Sequence, residues 1–228
     1  MKARDLELLV EADEDAAARR VAELLAEAAK AGGEIVLTGG STPGRAYELA
    51  RELEPDWSRA GVWWGDERCV PPDHDDSNFG LARKTLLDEL EAQPRAVHRI
   101  QGEFGAGSAA DAYERELVRI DLALNGIGPD GHVASLFPHA PGLQERDRLA
   151  IAAEPKLEPF VARVTLTPPA LDAARRIVFL VTGAEKADAV EHAFVGPPSP
   201  SVPGSLIRAR GGETLGVVDE AAAARLRN

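Results

Sequence analysis

The sequence has little with which to cross-link itself, bind nucleic acid or enter a membrane. Cys69 is its only cysteine, which excludes an intrachain disulfide and a cysteine-based zinc cluster and fits a reducing cytoplasm. Aromatic residues make up 5% of the chain, and 26 lysines and arginines stand against 38 aspartates and glutamates, a formal net charge of −12. Such an excess of acid argues against a nucleic-acid surface, which needs clustered positive charge to displace condensed counterions. A small anion remains an acceptable ligand wherever a few basic side chains converge. No apolar run approaches the length of about 18 residues that a membrane span needs. The opening MKARDLELLVEADEDAAARR also lacks the apolar core and small-residue cleavage site of an export signal. We expect a cytoplasmic protein without membrane contact.

What the chain does have is apolar content, 44% of 228 residues, enough to bury a substantial core, and we expect a single domain over residues 1–228. Val21, Leu24, Leu25 and Ala28 recur at helical spacing across residues 13–31, and Gly32-Gly33 ends the pattern. The strand-like run EIVLT follows, then GGSTPG, then a second helix through Leu53. The alternation returns with GVWW before GDERCVPPDHDDSN, DLALNG before IGPDGH, and RIVFLVTG before EKADAVEHAF, with helices expected near residues 78–90 and 109–120. Residues 213–219 read as a last strand and 220–227 as a closing helix. Short β-branched runs alternating with helices predict an α/β fold with a mainly parallel sheet covered on both faces. The proline-rich GPPSPSVPGS at 196–205 reads as an ordered surface connection, with its service as a mobile lid left open.

Loops that follow parallel strands emerge at one carboxyl edge, where open α/β sheets bind ligands. Gly39, Gly40, Ser41 and Thr42 follow a strand and precede Pro43, expected at the first helical position. Glycine backbone and a helix N-terminus suit a phosphate, although Ser41 or Thr42 as a plain helix cap explains the same residues. Arg68 of GDER has a guanidinium fitted to clamp a phosphate or polarise a carbonyl, unless it pairs with Asp66 or Glu67 at the surface. Lys186 of TGAEK stands at a helix opening, where the helix dipole disfavours a cation, a weak functional hint. In NGIGPDGHVASLFP, Gly128-Pro129-Asp130-Gly131 has the chemistry of a tight turn. That does not account for His132 directly after it, and histidine is the side chain best suited to exchange protons near neutral pH. His74 in DHDD matches no metal-binding spacing, and His98, His139 and His192 lack a partnered motif.

The blocks LTGGSTPG, GDERCVPPDHDDSN, GIGPDGHVASLFP, RVTLTPPAL and FLVTGAEKADAV, in that order, resemble the 6-phosphogluconolactonase family across nearly the whole chain. The resemblance implies a three-layer α/β fold, as in glucosamine-6-phosphate deaminases and ribose-5-phosphate isomerase. It also implies hydrolysis of 6-phosphoglucono-δ-lactone in the oxidative pentose phosphate pathway, without cofactor or metal. The oligomeric state stays open in the sequence, and we expect a monomer or small homo-oligomer. Carried over by residue, His132 matches the family's general base, and Arg68, Arg163 and Lys186 match basic residues near phosphate or lactone. Asp130, two residues from His132, is expected to orient the imidazole. Asn125 and Val133 depart from the family's usual apolar residue and threonine. Two rivals remain. An amino-sugar phosphate deaminase needs further carboxylates near the histidine, and SLFP after GHVA offers none. A non-catalytic sugar-phosphate sensor needs an effector module, for which the chain has no spare domain.

Overall fold

Four apolar runs set the frame. In a strand, successive side chains point to opposite faces, yet Ile35–Leu37, Gly61–Trp64, Leu122–Asn125 and Ile177–Val181 are buried at every position. Both faces of the sheet they build are therefore covered. The computed structural model describes residues 2–3, 5–156 and 158–226. In chain order the elements are β1 (Lys2–Ala3), β2 (Leu6–Glu11), α1 (Glu14–Ala31), β3 (Glu34–Leu37), α2 (Ser41–Leu53), β4 (Gly61–Trp64), β5 (Asp66–Arg68), α3 (Asn78–Thr85), β6 (Ala96–Val97), α4 (Ala106–Glu116), β7 (Leu122–Asn125), β8 (Ala150–Ala153), β9 (Arg163–Leu166), α5 (Pro168–Asp172), β10 (Arg176–Val181), α6 (Ala187–Phe194) and β11 (Glu213–Asp219).

Eight strands form a sheet in the order β1-β2-β11-β10-β7-β3-β4-β6. Every pairing is parallel except β1 with β2. The expected α/β class with a mainly parallel sheet and helices around it is what the chain adopts. A second, antiparallel sheet, β5-β9-β8, stands apart from it. The expectation for GDER was a loop; instead Asp66–Arg68 pairs residue by residue with Arg163–Thr165. That pairing fixes which of its side chains point the same way.

Helix α1 shows how directly the local code is obeyed. The Asp13 side chain accepts from Ala16 N at 2.8 Å, and Gly32, at φ 79°, closes the helix by donating to the carbonyls of Ala28 and Ala29. Other expected bounds shift. The helix expected over 78–90 ends at Thr85 and gives way to a 3-10 turn at Leu87–Glu89, and the one expected over 109–120 is Ala106–Glu116. Pro43 is the third residue of α2 rather than the first, still within the turn whose N–H groups have no helical acceptor. The closing helix does not form: residues 220–226 are turns. The Asp219 carboxylate accepts from Ala222 N and also from Gly183 N, so this short alanine-rich stretch starts as a capped turn and is too brief to propagate.

Both tyrosines of the chain serve one purpose. Tyr47 Oη donates to the Thr38 carbonyl at 2.6 Å and accepts from Thr38 N at 2.8 Å. Tyr113 Oη does the same to Trp64, at 2.9 and 2.7 Å. Both rings are buried, and burial pushes both phenols far above the ordinary tyrosine range. Thr38, directly after β3, and Trp64, the last residue of β4, are thus pinned where the loops begin.

Candidate active site

Strands β10, β7, β3 and β4 are consecutive neighbours in the sheet and mutually parallel, so the loops after them emerge side by side. Thr38, Gly39, Gly40, Asp66, Arg68, Asn78, residues 126–129, His132, Ala134, Arg163 and Lys186 line one cavity of about 240 Å³. An adjoining cavity of about 490 Å³ shares Gly39, Gly40 and Lys186 and adds Glu14, Ser41, Thr42, Thr182 and Glu185. Of the residues expected from sequence, His132, Arg68, Arg163, Lys186, Gly39 and Gly40 meet in the first space. Ser41 and Thr42 lie in the second, and Asp130 stands behind the imidazole rather than in the lining.

The GPDG segment is a tight turn, closed by Gly131 N donating to the Gly128 carbonyl at 2.9 Å. The same turn aims the histidine. The Asp130 carboxylate lies 2.6 Å from His132 Nδ1 and also accepts from His132 N at 3.2 Å. Burial works to raise the Asp130 carboxyl, but the hydrogen bond and charge of His132 outweigh it and hold it below the usual carboxylate range. Since a carboxylate only accepts, Nδ1 carries a proton, and in the neutral ring Nε2 presents its lone pair. A Cβ on Gly128 would overlap the His132 ring at Nδ1. Gly128→Ala is therefore expected to move the ring off Asp130. In a spectrum of the five histidines, the His132 ring nitrogens should shift and the other four stay put; an unmoved His132 signal would show that the turn tolerates the methyl group.

Arg68 and Arg163 stand directly opposite each other across β5 and β9, an arrangement that repels in the absence of a shared anion. Arg68 Nη1 donates to the Asp76 carbonyl at 2.5 Å. The Arg163 guanidinium lies 5.6 Å from the Phe137 ring centre, and His132 packs on the same ring at 4.9 Å. Burial, then repulsion from Arg68, lowers the Arg163 guanidinium from its usual range. The surface salt bridge considered for Arg68 does not form, because both acidic neighbours are buried and occupied. Glu67 accepts from the backbone N–H groups of Arg68, Asn78 and Phe79 and from Ser77 Oγ, at 2.7 to 3.0 Å. Burial pushes its carboxyl up against the pull of those three N–H groups. Asp66, two residues from Arg68 along the strand, shares its cavity side and accepts from Ser135 Oγ at 2.6 Å and Asn78 Nδ2 at 3.1 Å.

Asp66 and Asn78 are among the lining residues that sequence reasoning missed, and Asp66 bears on one of its arguments. The stretch SLFP carries no carboxylate, yet its Ser135 holds Asp66, which lines the same cavity as His132. The signal was the two-residue period of a strand across DER.

At the other end, α2 begins at Gly40 with no side-chain cap and no acid in its first turn. Neither Ser41 nor Thr42 acts as the cap that the plain structural reading required. Lys186 follows the loop after β10; burial lowers its ammonium from the usual range, opposed by Glu185 and Asp130. Residues 196–205 form an ordered connection that contributes nothing to either lining. They back the histidine turn instead: Gly204 N donates to the Gly131 carbonyl at 2.9 Å, and a Cβ on Gly131 would strike Val202. Val133 lies in the core, away from the lining. His74 is exposed beside Asp76, His98 stacks on Trp63, and His139 contacts Ser201.

Residues 10–216 match the family model described as glucosamine-6-phosphate isomerases/6-phosphogluconolactonase. The chain is 40% identical to the 6-phosphogluconolactonase of Mycobacterium leprae, covering 92% of this chain and 93% of that one. It is 37% identical to that of Streptomyces coelicolor, covering 98% and 92%. Among solved structures, 6-phosphogluconolactonase from Trypanosoma cruzi superposes with a TM-score of 0.88 at 26% identity, covering 100% of this chain and 99% of that chain. A monomeric glucosamine-6-phosphate deaminase shares the fold at a TM-score of 0.82 and 18% identity, covering 96% and 99%. The chain belongs to the glucosamine-6-phosphate isomerase/6-phosphogluconolactonase family.

Proposed function

We propose that this protein is a 6-phosphogluconolactonase, hydrolysing 6-phosphoglucono-δ-lactone to 6-phosphogluconate in the oxidative pentose phosphate pathway. The observation that carries the reading is the His132–Asp130 pair, with Nε2 left as base, in a cavity that also holds Arg68, Arg163 and Lys186. Lys186 and the open N-terminus of α2 adjoin both cavities, so we place the 6-phosphate there, against the backbone of Gly39 to Thr42. The opposed arginines line only the first cavity and face the lactone carbonyl. His132 Nε2 takes a proton from water as its oxygen bonds to C1, and the arginines stabilise the oxyanion that forms. The bond from C1 to the ring oxygen then breaks, and the imidazolium returns its proton to that oxygen. No cofactor enters the scheme.

The test is lactone loss at neutral pH with the spontaneous reaction subtracted. Acceleration supports the reading; a well-folded protein giving none would sink it. Asp66 in the cavity favours one second reading, deamination and isomerisation of glucosamine-6-phosphate, which ammonia release would reveal.

The phosphate assignment makes its own prediction. Lys186→Ala is expected to weaken 6-phosphogluconate binding by about 10- to 100-fold, the worth of one charge-assisted hydrogen bond. Because burial lowers the Lys186 ammonium, the parent should lose affinity as pH rises below the range, near ~10.4, in which ordinary lysines lose their proton. Lys186→Arg, which does not titrate there, should flatten that loss. Calorimetry with the product avoids alkaline lactone breakdown, and an identical alkaline profile in the two proteins would detach Lys186 from the phosphate.

A further inference from the structure

Glu14 is an acid in the wall of the space assigned to a phosphate. It opens α1, where the helix N-terminus favours negative charge, but Asp13 already caps that helix. Glu14 makes no ion pair among the described residues; it takes a hydroxyl instead. Thr42 Oγ1 lies 2.7 Å from Glu14 Oε1 and 2.9 Å from Thr182 Oγ1. A carboxylate has no proton to give, so Thr42 donates to Glu14 and its own oxygen accepts from Thr182. Both threonine protons therefore run toward Glu14, and a phosphate oxygen reaching Thr42 meets lone pairs.

We infer that Glu14 is an affinity-setting residue that holds the phosphate subsite below its attainable affinity by competing with the phosphoryl group for the Thr42 hydroxyl. The inference rests on the placement of phosphate against Thr42 and Lys186 in the proposed reaction. For Thr42 to turn its proton to the ligand it must release Glu14, which leaves an unpaired carboxylate facing a dianion. Both effects weaken the bound state. The consequence is a lactonase that sheds its phosphorylated product more readily than the rest of the subsite would allow.

Two substitutions separate charge from hydrogen bond. Glu14→Gln removes the charge and still accepts from Thr42; Glu14→Ala removes both. Inorganic phosphate, titrated calorimetrically, is expected to bind more tightly to both variants, by about three- to tenfold for alanine and less for glutamine. With Thr42→Val as background, the advantage of alanine over glutamine should vanish. A merely structural tie between α1 and α2 would instead lower the unfolding temperature of Glu14→Ala and leave phosphate affinity unchanged or weaker, which overturns the inference. The two readings fail separately. Tighter phosphate in Glu14→Ala without lactone turnover by the parent keeps this inference and removes the reaction; turnover by the parent with unchanged phosphate affinity does the reverse.

Discussion

His132→Ala is expected to lower kcat by about 10²- to 10⁴-fold, the usual worth of a positioned general base, while KM stays within a few-fold of the parent. The proposed phosphate contacts do not include the imidazole, so ground-state binding is expected to survive its removal. The measurement is background-corrected lactone loss over a range of substrate concentrations. Asp130→Asn should fall between the two proteins, because an amide can accept from Nδ1 but does not stabilise the imidazolium. A variant at position 132 with the parent's kcat would remove the histidine from the mechanism. A rise in KM alone would make it a binding group.

Glu67→Ala is expected to be the most destabilising single change near the site, although Glu67 is absent from the cavity lining. Glu67 is 3% exposed, and its carboxylate serves three backbone N–H groups and one hydroxyl. Each buried donor left without an acceptor costs about 1–3 kcal/mol, part of which water entering the vacated space recovers, giving a net loss of about 3–5 kcal/mol. For a chain of this size that corresponds to roughly 10 °C in Tm. Function should fall with it, since Glu67 joins the start of α3 to β5 and so places Asn78 and Arg68 in the cavity. Thermal unfolding followed by circular dichroism checks the first part. A shift of less than about 2 °C would mean that the four donors find other acceptors.

The parallel frame was legible because its strands are apolar runs buried on both faces, as in RIVFLV of β10. The second sheet was not. Strand β5, DER, is charged at every position and β9, RVTL, opens on a charge; Asp66, Arg68 and Arg163 line a polar cleft, and apolar periodicity passes over such strands. Strand β2, LELLVE, is a similar case near the edge of the main sheet, with Glu7 and Glu11 among its apolar residues. Within the site, His132 stood out by its place after a turn, Arg68 and Lys186 by their places after strands, and Arg163 by resemblance alone. The carboxylate of Asp130 was legible from its place two residues before His132, but those of Asp66 and Glu14 were not, since their partners are far off in sequence: Ser135 for Asp66 and Thr42 for Glu14. The glycines of the lining were legible as glycines, but not the reason for each. Gly128 is there to let an imidazole pass, which only the folded turn reveals.

The strand order has a consequence for biosynthesis. Strand β2 pairs in the sheet with β11 alone, apart from the two residues of β1. A chain emerging from the ribosome N-terminus first exposes β2 long before its partner exists. Until β11 is released, β2 has only that two-residue hairpin, and α1, which packs on both strands, rests on an unfinished surface. Completion of the sheet therefore waits for β11, and a nascent chain stalled before Glu213 should remain open to protease at residues 6–31 even though β3, β4, β7 and β10 have already been synthesised.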